Sequence, residues 1–383
     1  MKIVFITNYL NHHQKYLADE LSLLLGNGNY FLIETTGMPE YRKKLGYPQL
    51  SAPYLLKYSE STHEQIDGIL NSFDVVMYTS TCWSYVKNRL NDRKLTFCYS
   101  ERRYKRLRRY LKYPINTYLS YYINKGYLLC SGAFTAKDYL ISKMPLRNCF
   151  KWGYFPEVKI YDDIDILLRS KSNKTEPLGV SILWVGRLLG WKHPEAAVKL
   201  ACKLRRDGIS FKIDIIGNGK MESSIKNMIE RYGLKDYVKL LGSMPPDEVR
   251  KRMELADIFL FTSNRQEGWG VVLNESMNSA CAVVASDAVG SVKYLVTDGV
   301  NGLTYNNGDN DDLYKKVRFL IDHPNDRKSI QTAAYKTITT TWSANNAANN
   351  FIILSQSLLQ GLNNPILEGP CSQAPLLWDK WII

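Results

Sequence analysis

Apolar and polar positions along the chain fall into two alternating series. Short apolar runs at 2–6, 74–78, 95–99 and 127–130 alternate with helical stretches such as 14–25 and 133–143. Such alternation predicts the strands of a parallel sheet covered by helices on both faces. A polar, charged break over about 156–179, including Arg169-Ser170-Lys171-Ser172-Asn173-Lys174, interrupts it. A second series then starts at 181–185 and continues through 211–216, 238–241, 258–261 and 282–285. The pattern predicts an α/β chain of two domains, 1–155 and 180–341, joined by a linker over 156–179. A last helix over about 343–359 opens the segment 342–383, which is expected to pack back on the N-terminal domain. The tail beyond Gly361 lacks periodicity and ends Trp378-Asp379-Lys380-Trp381-Ile382-Ile383. A frayed end, a packing strap and a small interfacial anchor all suit it.

Length and composition narrow the classes open to such a chain. Its 383 residues exceed one ordinary core, and 45% hydrophobic with 23% charged residues is the balance of a soluble globular protein. No apolar run approaches the roughly 20 residues of a membrane-spanning helix. The opening Met1-Lys2-Ile3-Val4-Phe5-Ile6-Thr7 has no small-residue cleavage site after it and reads as a first buried strand, not a secretion signal. Seven scattered cysteines include no C-x-x-C pair, so they are expected to be reduced and mostly buried, in a cytoplasmic protein.

The net charge of +13 suits nucleic acid, an anionic membrane face or a phosphorylated substrate. It is concentrated in Glu101-Arg102-Arg103-Tyr104-Lys105-Arg106-Leu107-Arg108-Arg109-Tyr110-Leu111-Lys112, with further aromatic residues to Tyr122. That stretch fits contact with anionic lipid and also fits an ordinary solvated helix face.

Two junctions in the second series carry candidate chemistry. In Ile182-Leu183-Trp184-Val185-Gly186-Arg187-Leu188-Leu189-Gly190-Trp191-Lys192, a strand enters a glycine-containing loop with two cations, and Pro194 opens a helix. Arginine grips phosphate oxygens in pairs and lysine adds a point charge, so the loop suits a diphosphate. Farther on, the strand 259–263 leads into Asn264-Arg265-Gln266-Glu267-Gly268-Trp269-Gly270 and a helix over 271–280. Glu267 is expected at the carboxyl end of a strand, where open α/β sheets bind ligands. Gly268 and Gly270 leave the helix start open to an anion. Glu275, on the same helix face as Val271, can accept from two vicinal ribose hydroxyls.

The segment Glu267-Gly-Trp-Gly-Val-Val-Leu-Asn-Glu275 resembles the E-x7-E motif of retaining GT-B glycosyltransferases of the family 4 group. Also similar are Val185-Gly186-Arg187 with Lys192, Ile215-Ile216-Gly217-Asn218-Gly219, Val283-Val284-Ala285-Ser286-Asp287 and Asp298-Gly299-Val300-Asn301-Gly302-Leu303. The likeness covers about 180–340 and is architectural over 1–155. It implies a GT-B fold, with two facing Rossmann-like domains and a central cleft. It also implies a metal-independent retaining transfer of a hexose-type sugar from a nucleotide-diphosphate sugar, UDP before GDP. In that reading Gly186, Arg187 and Lys192 bind the donor diphosphate, with the backbone of Gly268, Trp269, Gly270 and Val271. Glu267 contacts the donor sugar, Glu275 holds the ribose, and Asn218, Gly219, Ser243 and Met244 flank the base.

The chain departs from the pattern where relatives carry a glycine pair near the N-terminus, which here reads Thr7-Asn8-Tyr9-Leu10-Asn11-His12-His13-Gln14. It departs again where a histidine often stands, which here reads Ser100-Glu101-Arg102. His12, His13, Ser100, Glu101, Arg102 and Arg103 are therefore the acceptor-side candidates, Glu101 also being a catalytic one. A third departure is Val289-Gly290-Ser291-Val292-Lys293, where two glycines and a glutamate are more usual.

The expected partners are a nucleotide-sugar donor, a glycan or lipid-linked acceptor in polysaccharide synthesis and an anionic membrane surface, with no nucleic acid and no metal or other cofactor. The expected location is the inner face of the cell membrane. A non-catalytic polyanion-binding protein and a GT-B phosphorylase or epimerase are the alternatives.

Overall fold

The computed structural model describes residues 1–44, 49–103, 123–140, 143–172 and 179–378. It divides into two compact units, Met1–Glu157 with Thr341–Ile383, and Val158–Thr340.

The first unit is built on a parallel sheet of β1 (Ile3–Thr7), β2 (Tyr30–Glu34), β3 (Leu55–Lys57), β4 (Val75–Thr79), β5 (Thr96–Glu101), β6 (Tyr127–Ser131) and β7 (Cys149–Trp152). Their order is β3-β2-β1-β4-β5-β6-β7, so β1 and β4 flank the point where strand order reverses. Alternate residues Val4 and Ile6, Val76 and Tyr78, and Cys98 enter one apolar core with Leu128 and Cys130. The opening residues thus form a fully buried strand. All seven cysteines are free thiols, six of them buried.

The helix Ala344–Leu359 belongs to this unit. Its buried Phe351 meets Phe97 and Trp152, with ring centroids 5.0 and 5.7 Å apart. Past that helix the chain runs antiparallel to β7: Lys151 N donates to Ser372 O at 2.7 Å and Cys371 N to Lys151 O at 2.8 Å. Residues 371–374 therefore act as a packing strap on the sheet edge. Trp378 is exposed and lies against Lys137, while Trp381 lies outside the described residues.

The second unit carries β8 (Val180–Val185), β9 (Phe211–Ile216), β10 (Val238–Leu240), β11 (Ile258–Phe261), β12 (Ala282–Ser286) and β13 (Leu303–Tyr305). All pair in parallel in the order β10-β9-β8-β11-β12-β13, which places the reversal between β8 and β11. The segment read as a linker holds a helix, Ile164–Ser172, that belongs to this unit. Leu167 and Leu168 pack with Ala280, and the buried Lys171 Nζ donates to the carbonyls of Met253 and Ala256 at 3.0 and 2.7 Å. The charged residues around them masked an amphipathic stripe at 164, 167, 168 and 171, of which the lysine is a part.

Candidate functional site

Three loops at the carboxyl ends of β8, β9 and β10 are bonded to one another through their backbones. Gly186 N donates to Ile216 O at 3.0 Å, Leu188 N to Asn218 O at 2.7 Å, and Gly217 N to Gly242 O at 2.8 Å. The approach is so close that a Cβ on Gly217, whose φ is +138°, would stand 1.9 Å from Gly186 O. This lacing leaves Arg187 exposed, with no side-chain hydrogen bond or ion pair among the described residues. In the loops bonded to it, Asn218, Gly219 and Ser243 are exposed and Met244 is half-buried.

The reversal point brings the β8 and β11 loops together. After β8 a single turn, Gly190–Lys192, directs the Lys192 ammonium onto the Glu267 carboxylate in the loop after β11. The same ammonium stands 4.7 Å from the Trp191 ring centroid, a cation–π contact. Glu267 is 7% exposed and also accepts from Ser263 Oγ at 3.0 Å. The two loops share backbone support: Asn264 N donates to Trp191 O at 2.9 Å, and Thr262 Oγ1 donates to Lys192 O at 2.7 Å. Thr262 in turn accepts from the buried Trp184 Nε1 at 2.8 Å.

Between the two glutamates the chain is tightly packed. Gly268 and Trp269 are buried, with Trp269 Nε1 donating to Asn274 Oδ1 at 2.7 Å. Gly270 has φ +80°, and a Cβ on it would lie 2.4 Å from Phe261 Cζ. The helix that follows is Val272–Asn278, with Val271 as its N-cap, shorter than the expected 271–280. Glu275 is half-buried, and burial pushes its carboxyl upward against the opposing pull of Arg250. The Arg250 guanidinium donates to Glu275 O at 2.9 Å and to the Asn278 side chain. Arg250 escaped the sequence reading because it stands in a run of charged helix residues with nothing to single it out. The unusual 289–293 segment has a structural use: buried Ser291 donates its hydroxyl to Trp269 O at 2.5 Å.

In the first unit the N-terminal candidates divide. Asn11 caps the helix His12–Leu25 by accepting from His13 N and Gln14 N, and the two histidine rings lie 3.6 Å apart. Burial, reinforced by Arg42, lowers His12 to about 4. Burial, then His12 and Arg42, hold His13 well below the usual range, so both rings are neutral. His13 meets Tyr154 edge-on, and Tyr154 donates to Glu101 Oε1 at 2.9 Å. His13 and Glu101 are thereby brought to one polar cluster through Tyr154, a residue the sequence reading missed for want of any motif.

Ser100 and Arg102 are not open candidates. Ser100 is buried, its hydroxyl accepting from Tyr139 at 2.7 Å and donating to Glu101 O at 2.8 Å. Arg102, expected on an exposed basic surface, is 5% exposed and stands 3.7 Å from the fully buried Asp138. A buried carboxylate requires a counter-charge, and the chain leaving β5 supplies it. Arg103 lies half-buried over the Tyr139 ring at 4.9 Å. The rest of the basic stretch, 104–112, lies outside the described residues.

Among the described residues no three His, Cys, Asp or Glu side chains are placed to hold a metal ion. Among the same residues no helix is long and apolar enough to cross a membrane.

Residues 168–337 match the glycosyl transferases group 1 family. The chain is 32% identical over 145 residues to the uncharacterized glycosyltransferase MJ1178 of Methanocaldococcus jannaschii, covering 38% of this chain and 40% of that protein. It is 35% identical over 133 residues to the amylovoran biosynthesis glycosyltransferase AmsK of Erwinia amylovora, covering 33% and 32%. Each match thus spans less than half of the relative's own length. The fold is similar to that of Anabaena Alr3699/HepE, solved in complex with UDP, with a TM-score of 0.69 at 15% identity over 94% of this chain and all of that one. It is likewise similar to the lipopolysaccharide outer core galactosyltransferase WaaB, with a TM-score of 0.67 and 15% identity over the same shares. Residues 168–337 are therefore a glycosyl transferases group 1 domain, in a chain whose two parallel-sheet α/β units have the GT-B fold.

Proposed function

We propose that the protein is a retaining, metal-independent glycosyltransferase. It takes a hexose-type sugar from a nucleotide-diphosphate sugar, UDP before GDP, and passes it to a glycan or lipid-linked acceptor in bacterial surface-polysaccharide synthesis. The observation that carries this reading is the Lys192–Glu267 pair at the strand-order reversal, with Arg187 beside it in sequence and Glu275 eight residues on. A diphosphate leaving group accumulates negative charge as the sugar takes on oxocarbenium character. Arg187 and Lys192 stabilise that charge without a divalent ion. On donor binding, Lys192 turns from Glu267 to the diphosphate, which frees the Glu267 carboxylate for the sugar hydroxyls. Glu275 holds the ribose. The UDP complex of HepE and the amylovoran role of AmsK support the choice of donor and product class.

His13, Tyr154 and Glu101 are assigned to the acceptor side, with Glu101 accepting the hydrogen bond that orients Tyr154. The remaining cations of 103–112 are assigned to the inner face of the cell membrane, where a lipid-linked acceptor resides.

The test is a panel of UDP- and GDP-sugars assayed for nucleoside-diphosphate release, with and without membrane-derived acceptor, in the presence and absence of EDTA. Release that depends on one donor and persists in EDTA is expected. Failure of every donor to bind or turn over would overturn the assignment, and loss in EDTA restored by magnesium or manganese would overturn its metal independence.

A further inference from the structure

The turn that delivers Lys192 ends in a left-handed residue that is not glycine. His193 has φ +52° and ψ +52°, a conformation a side-chain-bearing residue keeps only where its surroundings hold it. Its imidazole is held on both sides. Nδ1 is 2.8 Å from Glu195 Oε1, and Nε2 is 3.2 Å from Asn264 Nδ2. The carboxylate can only accept, so Nδ1 carries the proton and Nε2 accepts from the Asn264 amide.

Asn264 is itself committed in both directions. Its backbone N–H donates to Trp191 O at 2.9 Å, inside the turn that carries Lys192. Its side-chain oxygen accepts from Gln266 N at 2.9 Å, and its backbone oxygen accepts from Glu267 N at 3.0 Å. The backbone of one residue therefore grips the lysine turn on one side and the glutamate loop on the other. His193 holds its side-chain amide so that the oxygen faces Gln266 N and the whole residue is tied to the turn.

We infer that His193 is a positioning residue: bridging Glu195 and Asn264, it holds the left-handed turn that keeps Lys192 on Glu267 and aimed where the donor diphosphate would bind. The brace is read from the unliganded geometry, and only its consequence for nucleotide affinity rests on the proposed donor site. The unusual backbone is thus put to use at the place where two loops 75 residues apart must meet.

His193→Gly tests this cleanly, because glycine adopts φ +52° without strain while both ring contacts disappear. Three measurements on the full chain are compared with the unaltered protein: acetylation of Lys192 read by peptide mass spectrometry, UDP affinity by calorimetry, and melting temperature. In His193→Gly, Lys192 is expected to label about fivefold faster. UDP affinity is expected to fall about tenfold. The melting temperature should move by no more than about 2 °C. Lys171, buried against two carbonyls, is the internal reference and should label at its original rate. Asn264→Ala should have the same effect, and the double variant should lose no more than either single one.

Unchanged Lys192 labelling in His193→Gly would overturn the inference while leaving the donor site standing. Lys171 labelling that rises in parallel with Lys192, or a double variant that loses the product of both effects, would overturn it too. If the unaltered protein binds neither UDP nor GDP, yet Lys192 alone becomes reactive in His193→Gly, the brace stands and the donor-site reading falls.

Discussion

The Lys192 ammonium rests on the Glu267 carboxylate, joining the turn after β8 to the loop after β11 with both side chains largely shielded from water. Each group is the other's counter-charge, and in the proposed reaction each takes a different partner once a donor enters. On the proposed reading, an ion pair that exchanges partners accounts for two opposite charges side by side, one for a diphosphate and one for a sugar.

Exchange of partners predicts different kinetic signatures for the site residues. Arg187→Ala removes a charge-assisted contact worth about 1.5–3 kcal/mol, which corresponds to roughly 10–100-fold weaker UDP binding. Glu275→Ala weakens donor binding in the same way. Glu267→Ala lowers turnover by about a hundredfold while changing donor affinity less, because contacts at the sugar strengthen as charge develops. Calorimetry with UDP and steady-state rates on the donor found in the panel separate the two kinds. An Arg187→Ala protein that binds UDP normally would remove that residue from the diphosphate site.

Gly270 is predicted to be intolerant of any side chain. Its φ of +80° and the 2.4 Å approach to Phe261 Cζ both oppose a Cβ. Left-handed strain and overpacking together cost about 2–4 kcal/mol in Gly270→Ala. Gly190→Ala is the control, since no heavy atom lies within 4 Å of its Cβ position and its φ is not positive. Urea midpoints measure both, and Phe261→Leu in the Gly270→Ala background should recover part of the loss.

Buried neutral His12 predicts an acid-sensitive first unit. An unfolded His12 takes up its proton near 6.5, whereas the folded one does so only near 4. Over that interval the unfolded chain binds more protons, so stability is fully present above about pH 6.5 and declines as pH falls toward 4. His12→Gln should flatten the dependence of the urea midpoint on pH between 7 and 4.5. An unchanged slope would assign the acid sensitivity elsewhere, with neighbouring His13 the next residue to replace.

The basic stretch predicts salt-sensitive binding to anionic vesicles. Replacing Lys105, Arg106, Arg108, Arg109 and Lys112 by Gln should release the protein, since each surface contact is worth on the order of 1 kcal/mol. Raised salt should act likewise, the attraction being screened over about 8 Å at physiological strength. Arg102→Gln should instead lower stability, because Asp138 would lose its buried counter-charge. Co-sedimentation with vesicles and thermal melts tell the outcomes apart, and vesicle binding that ignores both salt and mutation would move the anchor to another surface.

The primary structure by itself determined the strand–helix alternation, because strands such as β1 and β11 are nearly unbroken apolar runs and β9 alternates apolar with charged residues, Phe211-Lys212-Ile213-Asp214-Ile215-Ile216. It also singled out Glu267, Glu275, Arg187 and Lys192, which fall in loops after strand ends or in a motif of fixed spacing. β2, β3, β7 and β13 escaped it although the three-residue β10 did not: β3 and β13 also have three residues each, and the pairing of such short strands is decided by neighbours already in the sheet. Only the tertiary structure decided that Lys192 meets Glu267, that Arg102 turns inward to Asp138, that 164–172 is a docked helix and that 371–374 straps β7. Each of these depends on a partner distant in sequence. Parallel strands require long crossovers, so the contacts that define the site form only when the whole sheet has assembled.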